Sequence, residues 1–250
     1  MLGRVIADVF RSLRKDKAPE AENPLQRYFL GNSGRLIQKW HHYFEIYHRH
    51  FESFRGRSPV VLEIGVFHGG SLQMWKEYFG PGAKIVGLDV DPRCRELEED
   101  GVSIMIGDQA DRRFLAEVRQ RHPQVDIVID DGGHQMQQQI VSFEELYPHI
   151  QPRGVYLCED IHTSFVSRYE GGYRRRGTFH EYSKGLTDKL YAWYSEDAAA
   201  FQVDEFTRGT YAMHFYDSVL VIEKRPMQPP QQSITGKPSF WSGGEGTLPA

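Results

Sequence analysis

Apolar runs punctuate the middle of the chain at Val60–Glu63, Lys84–Asp89, Val102–Ile106, Asp126–Asp130 and Val155–Glu159, separated by amphipathic stretches. The runs are too apolar for period-two alternation, as expected of parallel strands covered on both faces. The pattern predicts an α/β fold: a Rossmann-like, doubly wound, mostly parallel sheet with helices between its strands. A helix is expected near Thr187–Tyr194. Beyond it, Phe201–Phe206 and Tyr211–Lys224 are close enough to pair as an antiparallel hairpin through Thr207–Thr210, which brings the sheet to seven strands. The ligand crevice of such a sheet lies at the carboxyl ends of its strands.

Upstream, Ser33 is placed to cap a helix over Gly34–Phe54, in which Leu36, Trp40, Tyr43, Phe44, Tyr47 and Phe51 recur at helical spacing. That stripe needs a partner surface, either the central block over its ligand or a second subunit. Three regions follow: a helical leader at 1–57, a ligand-binding domain at 58–224, and a tail at 225–250 rich in Pro, Gln, Ser and Gly that is expected to be unstructured.

Net charge is −4 over 250 residues, with both signs interspersed, so a nucleic-acid partner is not expected. Cys94 and Cys158 have no neighbour at zinc or redox spacing, which fits the reduced cytoplasm. Met1–Lys17 mixes Arg and Asp among apolar residues and lacks a secretory core or a span of membrane length.

The first run continues as Glu63-Ile64-Gly65-Val66-Phe67-His68-Gly69-Gly70-Ser71, a strand end, a glycine turn and a helix start. A dinucleotide fingerprint has a different glycine spacing and no acid at that strand end, so a nicotinamide dehydrogenase is disfavoured. Glu63 instead suits a cationic ligand group such as the ammonium of a methionine moiety, with Gly65, His68, Gly70 and Ser71 supplying the turn around it. Asp89 ends the second strand where an acid would hydrogen-bond a ribose diol. Asp108 and Gln109 close the third at the expected adenine edge, and Asp130 ends the fourth beside them.

With these residues in order, the sequence resembles the class I S-adenosylmethionine-dependent methyltransferases over about Val60–Lys224. Within that class, Leu62–Val66, Asp130–His134, Glu159–Ser164 and His214–Ser218 resemble the macrocin- and mycinamicin-type sugar O-methyltransferases. The resemblance implies S-adenosylmethionine and Mg²⁺ as cofactors, Asp131, Glu159 and Asp160 as metal ligands, and His134 as the base. It also implies a hydroxyl acceptor on a sugar or glycosylated small metabolite, in natural-product biosynthesis. The chain is short at its amino end for that family, so contacts made by an extra domain do not carry over.

The residues themselves support a metal. Three carboxylates at neighbouring strand ends are costly without a cation, and hard oxygens select magnesium or calcium over zinc. Asp130 is an alternative ligand to Asp131, and both acids equally suit helix capping. His41, His42, His48 and His50 are expected on a solvated helix face rather than around zinc. Ile161–Gly185, with Arg174, Arg175 and Arg176, has the length of a substrate loop, in which His162 and Tyr169 are weaker candidates for acceptor contact. Three rivals remain: a catechol or other phenolic acceptor, an iron-dependent hydroxylase of the same fold, and a scaffold that binds S-adenosylmethionine without chemistry. A homo-oligomer is expected.

Overall fold

The structure, a computed structural model, describes residues 21–197, 199–237 and 239–240. The reading of Met1–Lys17 therefore lies outside the described residues, as does the end of the tail. Helix α1 (Pro24–Gly31) opens on Asn23, whose side chain accepts from the Gln26 backbone N–H, with Pro24 in the first turn where its missing N–H costs nothing. After an extended segment come α2 (Tyr43–Phe51), β1 (Val60–Ile64), α3 (Gly70–Phe79), β2 (Lys84–Asp89), β3 (Val102–Ile106), α4 (Arg112–Arg121) and β4 (Val125–Asp130). Then follow α5 (Met136–Leu146), β5 (Ile150–Cys158), α6 (Phe179–Lys189), the short α7 (Glu205–Gly209), β6 (Thr210–Phe215) and β7 (Leu220–Lys224).

The seven strands form one sheet in the order β3-β2-β1-β4-β5-β7-β6. Strands β1 to β5 are parallel, and β7 runs antiparallel to both β5 and β6. Order reverses between β1 and β4, which opens a crevice at their carboxyl ends. Both faces are covered. Tyr47, Phe51, Trp75 and Phe79 pack on one with Val61, Ile85 and Ile127, while Leu115, Phe143, Tyr147 and Leu186 pack on the other with Leu62, Val128 and Tyr156. This two-sided burial is why the central strands read as unbroken apolar runs.

Two expected elements differ. The leader is not helical from Gly34 to Trp40: α1 ends before Asn32, whose side chain takes the Gly34 N–H and donates to the Arg35 carbonyl, and the chain then crosses the β1–α3 turn extended. A Cβ on Gly70 would stand 2.4 Å from the Arg35 carbonyl oxygen and 2.5 Å from that of Leu36, so the turn needs glycine to let the leader lie on it. The hairpin also shifts. Residues 205–209 form α7, begun by the side chain of Asp204 accepting from the Thr207 N–H, and β6 pairs β7 through Tyr216–Val219 instead. The described residues of the tail beyond Arg225 carry no regular structure. Among the described residues, no helix is long and apolar enough to cross a membrane.

Candidate active site

The crevice holds a cavity of about 650 Å³, of a size suited to a nucleoside-like ligand. Gly65, His68, Asp89 and Gln109 line it from the first three strand ends; Asp131, His134, Glu159 and Asp160 line it from the fourth and fifth. Gly65 sits at φ 95°, and a Cβ there would come within 2.0 Å of the Asp131 carbonyl oxygen, so the cavity floor closes only over glycine. Asp89 accepts from the backbone N–H groups of Val66, Phe67 and Asp91, which fixes its carboxylate at the rim of the turn. Gln109 accepts from the Gly133 N–H and donates to Asp130 and Ser142, tying the third strand end to the fourth.

Asp130 itself is 1% exposed and accepts from Gln109 and the Tyr156 hydroxyl; burial raises its carboxyl to about 7. It lies behind the cavity wall, so the choice between Asp130 and Asp131 as the residue facing the crevice falls to Asp131. Asp108 is exposed, turned to the Ala110 N–H, and stands off the cavity. Gly70 and Ser71 are buried beneath the crossing leader rather than on the cavity surface. Glu63 is fully buried, accepts from the Ser71 hydroxyl and the Trp75 indole N–H, and does not reach the cavity either. Gly70, Ser71 and Glu63 thus support the turn from behind instead of lining the crevice.

At the other end of the crevice, Asp131, His134 and Asp160 bring one ligand atom each to within 4.8 Å of one another. His134 Nε2 lies 3.5 Å from Asp160 Oδ2 and 3.8 Å from Asp131 Oδ1. Both His134 and Asp160 hold left-handed backbone, at φ 56° and 53°, conformations that cost a non-glycine residue energy and cluster at functional sites. The Tyr43 hydroxyl donates to Asp160 Oδ1 at 2.6 Å, leaving Oδ2 toward the imidazole. His134 Nδ1 is buried without a hydrogen-bond partner.

Glu159, expected beside Asp131 and Asp160, is drawn away from them. Both of its oxygens accept from the Lys39 ammonium, at 2.8 and 2.9 Å, and the same ammonium donates to Asp131 Oδ2 at 2.5 Å with Glu63 at 3.8 Å. The Lys39 side chain is 3% exposed. Burial works against its charge, but Asp131, Glu159 and Glu63 outweigh that and hold it protonated above its ordinary value. Lys39 was invisible in the sequence because it sits in a stretch with helical periodicity, and only the extended crossing of the leader carries it in. Gln38 and Trp40 line the cavity on either side of it. Trp40 and Phe67 stay more than half exposed at the rim. His162 is exposed and reaches Asp160 only at 3.8 Å, Tyr169 edges the His134 ring, and Arg174–Arg176 lie in an exposed turn outside the cavity.

Residues 62–161 match the methyltransferase domain family. The chain is 34% identical over 197 residues to the 8-demethyl-8-alpha-L-rhamnosyl tetracenomycin-C 2'-O-methyltransferase of Streptomyces olivaceus, covering 75% of this chain and 52% of that protein. It is 36% identical over 162 residues to the mycinamicin VI 2''-O-methyltransferase of Micromonospora griseorubida, covering 62% and 39%. The solved structure of the MycE methyltransferase from the mycinamycin biosynthetic pathway, in complex with Mg, SAH and mycinamycin VI, superposes with a TM-score of 0.72 at 31% identity, over 84% of this chain and 54% of that one. The chain thus spans about half the length, or less, of the relatives it matches.

Proposed function

We propose that the chain, whose residues 62–161 match the methyltransferase domain family and which is similar to the macrocin- and mycinamicin-type sugar O-methyltransferases, transfers a methyl group from S-adenosylmethionine to a hydroxyl of a sugar or glycosylated small metabolite, with Mg²⁺. The observation that carries this reading is the position of His134 between the Asp131 and Asp160 carboxylates in a cavity that Gly65 and Asp89 also line. In this reading Asp89 takes the ribose diol, Gln109 lies toward the adenine, and the turn at Gly65 lets the backbone approach the methionine portion. Glu63 acts from behind, through Ser71, Trp75 and Lys39.

The donor set fits a hard divalent cation. Asp131, Glu159 and Asp160 converge on a crevice in which Lys39 supplies a single positive charge. Asp131 and Asp160 would hold the ion, while Glu159 stays on Lys39. When bound, magnesium would stabilise the negative charge that develops on the acceptor oxygen. His134 Nε2 faces the same space and would accept the hydroxyl proton, after which Asp131 and Asp160 stabilise the imidazolium. Tyr43 fixes the Asp160 carboxylate so that the pair stays aligned. The sulfonium is already an activated donor, so orienting the acceptor and removing one proton are the protein's main tasks.

The cluster has one imidazole and two carboxylates, the inverse of the two-histidine, one-carboxylate facial iron site, which argues against the hydroxylase alternative. Trp40 and Phe67 at the rim offer apolar faces to a bulky aglycone. The buried free thiols of Cys94 and Cys158 agree with a cytoplasmic enzyme, and homo-oligomerisation belongs to the same reading.

Calorimetric titration with S-adenosylhomocysteine, with magnesium and then with a chelator, tests the cofactor; transfer of labelled methyl to rhamnosylated and catechol acceptors tests the substrate. Micromolar cofactor binding and magnesium-dependent labelling of the sugar are expected. Absence of binding in both buffers overturns the methyltransferase reading, and labelling of catechols alone overturns the sugar.

A further inference from the structure

A second group of metal-competent side chains lies away from the crevice. His50 on α2, His214 on β6 and Glu223 on β7 bring one ligand atom each to within 4.8 Å of one another. Three features of the fold put them there. On α2, Tyr43, Tyr47 and His50 fall on one buried stripe, so His50 is 7% exposed and not on the solvated face expected for the leader histidines. On the hairpin, His214 pairs with Val221, so Glu223, two residues further along β7, shares its face. That face is the one α2 covers, since Val219, Val221 and Tyr216 pack there with Tyr43, Tyr47 and Phe51.

The spacing at this cluster fits three corners of a tetrahedral site once the hydrogen bond between His50 Nδ1 and Glu223 Oε1 is opened. Bond lengths near 2.0–2.1 Å around a tetrahedral zinc ion separate its ligand atoms by about 3.3 Å. His214 Nε2 and Glu223 Oε1 are 3.4 Å apart, and His50 Nδ1 and Glu223 Oε1 2.8 Å. His214 Nε2 is buried with no hydrogen-bond partner, an orphaned lone pair or proton directed at the carboxylate without satisfying it. His50 Nε2, the nitrogen turned away from the cluster, meets the Tyr216 hydroxyl at 2.9 Å. Ligating histidines are held in just this manner, with the second ring nitrogen bound to an outer partner that fixes tautomer and orientation. A cavity of about 510 Å³ is bounded by His50 and Glu223, with His214 outside its lining.

We propose that His50, His214 and Glu223 form a zinc-binding site with one position left to water, which pins α2 to the β6–β7 hairpin. Two imidazoles and one carboxylate suit zinc, as they suit the iron(II) that takes the same set, and not magnesium, the opposite selection from the crevice. Glu223 pairs with Val155, three residues before the end of β5, so the ion would sit down the sheet from the crevice. It would take no part in methyl transfer. Its effect would be on the leader, whose extended segment carries Lys39 and Trp40 into the crevice eleven and ten residues before His50.

The test uses the full chain, stripped with a chelator and held in excess magnesium to occupy the crevice carboxylates. It is titrated with Zn²⁺ by calorimetry and with Co²⁺ by visible absorption. The expected result is one equivalent of zinc, cobalt bands of tetrahedral intensity, and a higher melting temperature with zinc. His214→Ala, at a half-exposed position, is expected to abolish the cobalt spectrum, and Glu223→Gln to weaken zinc by tenfold or more, both with S-adenosylhomocysteine affinity kept. Asp160→Asn is expected to leave the equivalent in place. No zinc uptake by the wild-type chain overturns the site and leaves a hydrogen-bonded His–Glu–Tyr network. Uptake that survives both His214→Ala and Glu223→Gln, or that disappears in Asp160→Asn, overturns it equally.

Discussion

Two clusters of histidine and carboxylate lie on the same sheet and are built in opposite ways. The crevice cluster gathers Asp131 and Asp160 around one imidazole, and the protein places its own cation, the Lys39 ammonium, between Asp131 and Glu159. The His50–His214–Glu223 cluster has two imidazoles around one carboxylate, with no lysine or arginine in salt-bridge contact among the described residues. The contrast follows from position. Strand carboxyl ends leave loops that turn several acids toward one cavity, where the Lys39 ammonium offsets their burial, whereas the second cluster lies between a helix face and a hairpin with His214 and Glu223 about a third exposed.

The sharpest way to break that contrast is to exchange the histidines. His134→Ala is expected to lower turnover on the order of 10³-fold, within the range of a lost general base, with S-adenosylhomocysteine affinity within about twofold of wild type. His214→Ala is expected to do the reverse, keeping turnover while changing zinc uptake. Single-turnover methyl transfer on the two variants checks this, and equal losses in both would mean that the clusters are one functional unit.

Lys39→Met tests whether the crevice depends on its internal cation. The substitution leaves Glu159 buried, and Asp131 half-buried, without their cation, and removing one partner of a buried pair typically costs about 3–5 kcal/mol. A melting temperature well below wild type without magnesium, largely recovered when magnesium is added, is the expected outcome of thermal denaturation. An unchanged melting temperature in chelator would show that Lys39 is not compensating those carboxylates.

The smallest effect is expected from Asp130→Asn, behind the crevice wall. Burial raises the folded-state pKa of Asp130 to about 7 from 3.8. The folded protein thus binds this proton more tightly than the unfolded chain, and the stability it confers is complete below about pH 4 and lost as pH rises through 7. Wild-type stability should therefore fall between about pH 4 and 7 by more than that of Asp130→Asn. Parallel pH profiles from chemical denaturation would contradict the assignment.

Much of this molecule was legible in the sequence. The five central strands lie within a residue or two of where apolar runs placed them, except that β5 begins earlier, at Ile150, because Gln151, Pro152 and Arg153 interrupt its pattern. The acids at the strand ends were legible too, since doubly wound topology fixes which ends meet. Which way each side chain turns was not. Glu63 differs from Asp89 in what the neighbouring chain offers it: the Ser71 hydroxyl and the Trp75 indole draw Glu63 off the cavity, while the backbone N–H groups of the turn hold Asp89 at its edge. The hairpin was expected in the right part of the chain but paired through the wrong turn, because Phe201–Phe206 has strand-like composition while Asp204 and Thr207 cap a helix.

The sequence by itself determined the sheet, its crevice and the inventory of acids and histidines, because these follow from periodicity and from residues near one another in the chain. The tertiary structure alone decided that Lys39 enters the crevice, that Glu159 turns to it, and that His50 meets His214 and Glu223. Each of those contacts joins residues more than ninety positions apart, and burial sets its strength, so no local pattern encodes it.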